Sequence, residues 1–148
     1  MTWAIRLVGL AMVAAVLVTA AIVVVAAGDD EPVTEAMIEF RYSKFEQREL
    51  TVPAGVPITL HLVNKDPIGH EWIVGNESIH QIHRTGTDPV HDSRPDEVTV
   101  APYETRTTTL TFEKPGTYSF ICHLPGHEAY GMIGTLTVLP QPAKVATR

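Results

Sequence analysis

The sequence predicts an all-β fold, an antiparallel sandwich preceded by one N-terminal hydrophobic helix. Three observations carry that prediction. From Met37 onward, short runs rich in Thr, Val, Ile, Tyr and Phe alternate with period two, as pleated, half-buried strands do. Turn signals separate the runs: Pro53-Ala54-Gly55, Asp66-Pro67, Pro102 and Lys114-Pro115-Gly116. No apolar stripe of helical period follows residue 35, so a helical core is excluded.

The elements follow in chain order. Leu7 to Ala27 is a 21-residue run without a charge, preceded by Arg6 and followed by Asp29, Asp30 and Glu31. A membrane-spanning helix needs about 20 apolar residues, whereas the apolar part of a signal peptide usually has about 7–15. Length favours a retained anchor, and the small residues Val25-Ala26-Ala27 also suit cleavage before Gly28. Either way the basic end stays inside and the chain from about residue 28 is exported. Residues 28–36 read as a linker, 37–140 as the folded domain and 141–148 as a frayed tail. Within the domain, the strands are expected at Met37–Tyr42, Leu50–Val52, Val56–Asn64, Glu71–Val74, Val98–Ala101, Thr105–Phe112, Thr117–Cys122 and Gly134–Leu139. Eight short strands in about 110 residues suit a sandwich. Gly75–Asp96 is long and polar and reads as an irregular insertion.

Composition narrows the function. The 148 residues allow one ordinary domain plus an extension. The net charge is −6, and the exported part holds 10 basic and 17 acidic residues, a net of −7. That balance argues against nucleic acid as a partner, because phosphate binding wants a basic face. A single Cys excludes an intrachain disulfide, a Cys-rich zinc module and an iron–sulfur cluster. No nucleophile–His–Asp arrangement is apparent, so the chain reads as a non-enzyme.

The one cysteine stands in a dense constellation. Cys122, His127 and Met132 have the spacing Cys-x4-His-x4-Met on one loop between two strands. A thiolate, an imidazole and a thioether on a tight loop can face one ion, and that donor set suits copper. A second imidazole would complete a trigonal site, and His70, at a strand start after the turn Asn64–Gly69, is the candidate. Loops at one end of a sandwich cluster, so the 52-residue gap between His70 and Cys122 is no obstacle.

With these residues the chain resembles the cupredoxins, the blue-copper proteins of the plastocyanin and azurin kind. The resemblance covers roughly Met37–Leu139 and rests on His70, Tyr118-x-Phe120-x-Cys122, Pro125-Gly126-His127 and Gly131-Met132-x-Gly134. It implies a Greek-key sandwich with one mononuclear copper. His70, Cys122 and His127 would lie in a plane around the metal and Met132 would cap it. It further implies a one-electron carrier that passes electrons through the edge of His127 to a redox protein such as a cytochrome or respiratory complex. Copper binding or delivery outside the membrane is the alternative. The family often carries Asn directly after the first ligand His; this chain has Glu71, so the hydrogen bonds around the sulfur must be built differently.

The other histidines read as follows. His123 follows Cys122 and points to the opposite face of the strand end. In multicopper oxidases a His there serves a second copper cluster. This chain is too short to supply that cluster's other ligands, so His123 reads as structural or surface. His61 alternates outward and reads as solvated. His80, His83 and His91 could form an accessory metal site, but a merely polar loop is favoured. Trp72 reads as core.

Overall fold

The computed structural model describes residues 32–86, 92 and 94–141. The chain forms β1 (Glu35–Arg41), β2 (Lys44–Phe45), β3 (Glu49–Pro53), β4 (Pro57–Asn64), β5 (His70–Gly75), α1 (Glu77–Thr85), β6 (Glu97–Val100), β7 (Thr105–Thr111), β8 (Gly116–Ile121) and β9 (Ile133–Leu139). Each of the eight expected strands is present, with bounds within two residues. The two-residue β2 is additional: it turns back on β1, with Phe45 opposite Phe40.

Two sheets stack face to face. One has the order β2-β1-β4-β7 and the other β3-β9-β8-β5-β6. Alternation sends one side of each strand inward. Ile38, Phe40, Leu60 and Leu62 from the first sheet meet Val52, Trp72, Phe120, Leu136 and Val138 from the second, all at most 2% exposed. Burying each such side chain contributes about 1.5–3 kcal/mol. The aromatic residues meet edge-on, with Phe45 centred 5.2 Å from Phe40 and 5.0 Å from Phe120. Gly134 is required beside them, since a β-carbon there would run into the Phe120 ring.

Two expectations are corrected. The sandwich is not purely antiparallel: β1 runs parallel to β4 and β3 parallel to β9. After β1 the chain crosses to the other sheet as β3 and returns as β4 in its original direction, so β4 lies parallel to β1. Period-two alternation is the same in both orientations and carries no information on direction. The insertion is not wholly irregular either, because Glu77–Thr85 is a helix. The Asn76 side chain caps its start by accepting from Ile79 N, and Gly86 ends it with φ 65°. Its inward face is built from His80 and His83, one turn apart, rather than from a stripe of aliphatic residues. The expected N-terminal helix, the end of the tail and His91 lie outside the described residues. Among those described, no helix is long and apolar enough to cross a membrane.

Candidate metal centre

Two loops at one end of the sandwich bring three of the expected ligands, His70, Cys122 and His127, together. The first joins β4 to β5 and delivers His70, the first residue of β5, fully buried. The second leaves β8 at Cys122 and re-enters β9 after Met132. Its backbone is tightly bonded: His127 N donates to Leu124 O, Tyr130 N to Gly126 O, and Met132 N to His127 O, at 2.9–3.0 Å. Cys122 N donates to Met132 O at 3.2 Å and closes the base of the loop. This folding places residues five and ten positions after Cys122 back beside it.

His70, Cys122 and His127 each offer a ligand atom, and these atoms lie within 4.8 Å of one another. His127 Nδ1 is 3.2 Å from Cys122 Sγ and 3.2 Å from His70 Nδ1. Cys122 is fully buried and His127 half-buried, so the imidazole of His127 is the part of the group that faces outward. Met132 is fully buried at the end of the same loop and belongs to the core cluster. Phe40 stands edge-on to His70 at 5.9 Å.

Neighbouring groups orient these side chains. His70 Nε2 faces Asp66 Oδ2 at 2.8 Å. A carboxylate only accepts, so Nε2 carries the proton and Nδ1 turns its lone pair toward His127 and Cys122. Asp66 also accepts from Tyr42 N and Ser43 N, both at 2.8 Å. Burial alone would raise its carboxyl pKa; the Ser43, Tyr42 and His70 donors outweigh burial and hold it below the ordinary value. Asn64 fastens the first loop from within. Its amide donates to Ile68 O, Val100 O and Ala101 O at 2.7–3.2 Å, and its oxygen accepts from Asp66 N at 2.9 Å. Glu71 contributes through its backbone, N to Cys122 Sγ at 3.3 Å, a bond any residue but proline could make. The sequence showed Asn64-Lys65-Asp66-Pro67 only as a turn, and the roles of Asn64 and Asp66 depend on partners distant in the chain.

Burial pushes the Cys122 thiol up to about 11 and holds His127 below its usual value, with the nearby His70 ring adding to the latter. Cys122 is thus a neutral thiol and His127 a neutral imidazole at pH 7. Two imidazole nitrogens and a sulfur that converge on one another fit a metal, and sulfur with two imidazoles suits copper better than hard cations.

The remaining histidines are placed by the fold. His61 lies on the outer face of its sheet, half-buried between Glu35 Oε1 at 3.0 Å and Thr107 Oγ1 at 3.1 Å. His123 is not a surface residue. Its side chain is 5% exposed and meets the two histidines of α1, with Nε2 3.0 Å from His80 Nδ1. Burial lowers His80 and pushes His123 down to about 4, where the His80 ring adds to the effect. Trp72 is core, fully buried, and its indole Nε1 has no hydrogen-bond partner among the described residues.

Known proteins resemble this chain in sequence and fold. Auracyanin-B of Chloroflexus aurantiacus is 31% identical over 111 residues, covering 65% of this chain and 47% of that protein, so the chain spans about half its relative's length. The copper-resistant cuproprotein CopI of Pseudomonas aeruginosa is 27% identical over 128 residues, 65% of this chain and 71% of that one. Among solved structures, reduced auracyanin from the photosynthetic bacterium Roseiflexus castenholzii superposes with a TM-score of 0.64 at 27% identity, over 74% of this chain and all of that one. Auracyanin A of Chloroflexus aurantiacus, described as a "blue" copper protein, gives 0.59 at 29% identity, again over 74% and 100%. The family model of the cupredoxin-like domain matches residues 10–138, and this protein belongs to that family.

Proposed function

We propose that the domain binds one copper ion through His70, Cys122 and His127, with Met132 as the axial ligand, and carries single electrons. The observation that carries this reading is the His70–Cys122–His127 group, two of its members buried, whose ligand atoms lie within 4.8 Å of one another. Copper bound there would supply a one-electron couple between its monovalent and divalent states. The chain's own part is rigidity. Asp66, Asn64 and the bonded 122–132 loop hold the ligand rings in one orientation, so little rearrangement need accompany the electron. The fold buries Cys122 and Met132 and leaves only the His127 side half-open, which suits electron exchange with a partner protein rather than catalysis on a substrate. Pro125, Ala129 and Tyr130 are exposed around His127, with Leu124 half-buried. They form an apolar rim on which a redox protein such as a cytochrome would dock. The apolar run Leu7–Ala27 would keep the carrier at the outer face of a membrane, and mass spectrometry of the mature N-terminus tests this. An end at Gly28 would show a removed signal instead.

The resemblance to CopI favours a second reading, copper binding and delivery. The absorption spectrum and voltammetry of the copper-loaded domain separate the two. Intense blue absorption with reversible cycling supports the carrier. A weakly coloured site that gives up copper readily to a chelator supports delivery.

A further inference from the structure

Helix α1 inserts two histidines against the residue that follows Cys122. His80 is fully buried and His83 is 8% exposed. The His83 ring stacks on His123, with centroids 5.4 Å apart and 9° between the planes. Three imidazoles therefore share one pocket. The histidine that sequence reading left without companions acquires them from the helical insertion.

The hydrogen positions in this pocket are constrained. His80 Nε2 lies 3.2 Å from Ser119 O, and a carbonyl only accepts, so the proton of neutral His80 sits on Nε2. Its Nδ1 then presents a lone pair. His123 Nδ1 faces Glu128 Oε2 at 3.4 Å. A proton placed there faces the carboxylate, which also accepts from Arg84, and leaves a lone pair on His123 Nε2. Two lone pairs then meet across the 3.0 Å between His80 Nδ1 and His123 Nε2, an arrangement that a cation between them would relieve. The His70–His127 pair shows a similar pattern, with an oxygen partner behind His70 and two nitrogens 3.2 Å apart in front. Two nitrogens that share one ion at about 2.0–2.1 Å sit about 3.3–3.4 Å apart at the tetrahedral angle and about 3.0 Å apart when that angle closes to near 95°.

The surroundings suit an ion. Ser119 and Glu128 hold the two rings from behind, as outer partners of metal-bound histidines do. The nearby cation Arg84 is paired with Glu77 at 2.6 Å and Glu128 at 2.7 Å, which offsets its charge. A cleft of about 440 Å³, lined in part by His83, His123, Pro125 and Glu128, opens beside the His123 ring.

We propose that His80 Nδ1 and His123 Nε2 form a second metal site, separate from the Cys122 centre, for a borderline ion such as zinc or divalent copper. The His83 ring forms its wall, and water or an anion from the cleft completes the coordination. The site stands independently of the electron-carrier reading.

The test uses zinc as the probe on the full chain. Copper-loaded protein is equilibrated with zinc, the free metal is removed, and both metals are counted. One zinc per chain is expected, lost in His80→Gln and His123→Gln while the copper count of those variants stays at one. Crystals of the parent soaked in zinc should show anomalous scattering at the zinc edge between His80 and His123. That observation decides the matter even where a variant fails to fold. A map with no zinc between the two rings, or a zinc count unchanged in both folded variants, overturns the proposal.

Discussion

Replacing Asp66 tests whether a carboxylate behind His70 fixes the metal-facing side of that ring. Its Oδ1 accepts from Tyr42 N, and its Oδ2 accepts from Ser43 N and His70 Nε2, each at 2.8 Å. Asn in that place has a single acceptor oxygen. Turned so that the oxygen faces Ser43 and His70, it keeps two bonds and sets its NH₂ against Tyr42 N. The loss is one charge-assisted bond, about 1.5–3 kcal/mol. Ala loses all three bonds. Tyr42 is exposed and water can replace its partner, but the ring of His70 is fully buried and no water reaches it. Ala should therefore cost more, about 4 kcal/mol in total. At roughly 4–6 °C per kcal/mol for a domain of this size, the apo protein should melt about 6–18 °C lower as Asn and about 16–24 °C lower as Ala. The Asp66 pKa is depressed in the fold, so its contribution is present above about pH 3.8 and lost as pH falls through the folded value. Both variants should lack that acid-side decline. Calorimetry gives the melting points, and nitrogen NMR of the His70 ring gives the tautomer. Parent protein with His70 protonated on Nδ1, or an Ala variant that melts no lower than Asn, would refute the reasoning.

Cys122→Ser should abolish strong copper colour and redox cycling while the sandwich stays folded; an unchanged visible spectrum in the folded variant argues against the proposed thiolate ligand. Met132→Leu should retain copper and raise the reduction potential, since an alkyl group donates nothing to the divalent ion, whereas Met132→Gln should lower it. Voltammetry that finds no shift in either variant would remove Met132 from the ligand set. Copper affinity of the apo domain should rise about tenfold per pH unit from about pH 7.5 to 9, because binding displaces a proton from a thiol whose pKa is about 11, while His127, held below its usual value, is already neutral there. A pH-independent affinity in a competition titration would show that the thiol is not the ligand. Gly134→Ala should destabilise the domain by about 1–3 kcal/mol, because the added methyl meets the immobile Phe120 ring; denaturant melts showing no change would mean that the ring moves aside freely.

Local patterns in the sequence were enough to place the eight main strands, because alternation and turn residues act over a few positions. The spacing of Cys122, His127 and Met132 was legible for the same reason: one short loop returns on itself, and the donor chemistry belongs to the residues themselves. The sequence alone also singled out His70 as the second imidazole. Strand direction was not legible, since β1 alternates in the same way whether β4 runs beside it parallel or antiparallel. Helix α1 escaped because its inward face is imidazole rather than aliphatic, although Asn76 and Gly86 mark its ends. Asp66 and Asn64 looked like turn residues until the fold set them against His70, Tyr42 and the strand end at Val100. His123 looked isolated because His80, 43 residues earlier, meets it only across the packed insertion. The groups that orient ligands are assembled from segments distant in the chain, and only their packing in three dimensions decides which polar atom faces which.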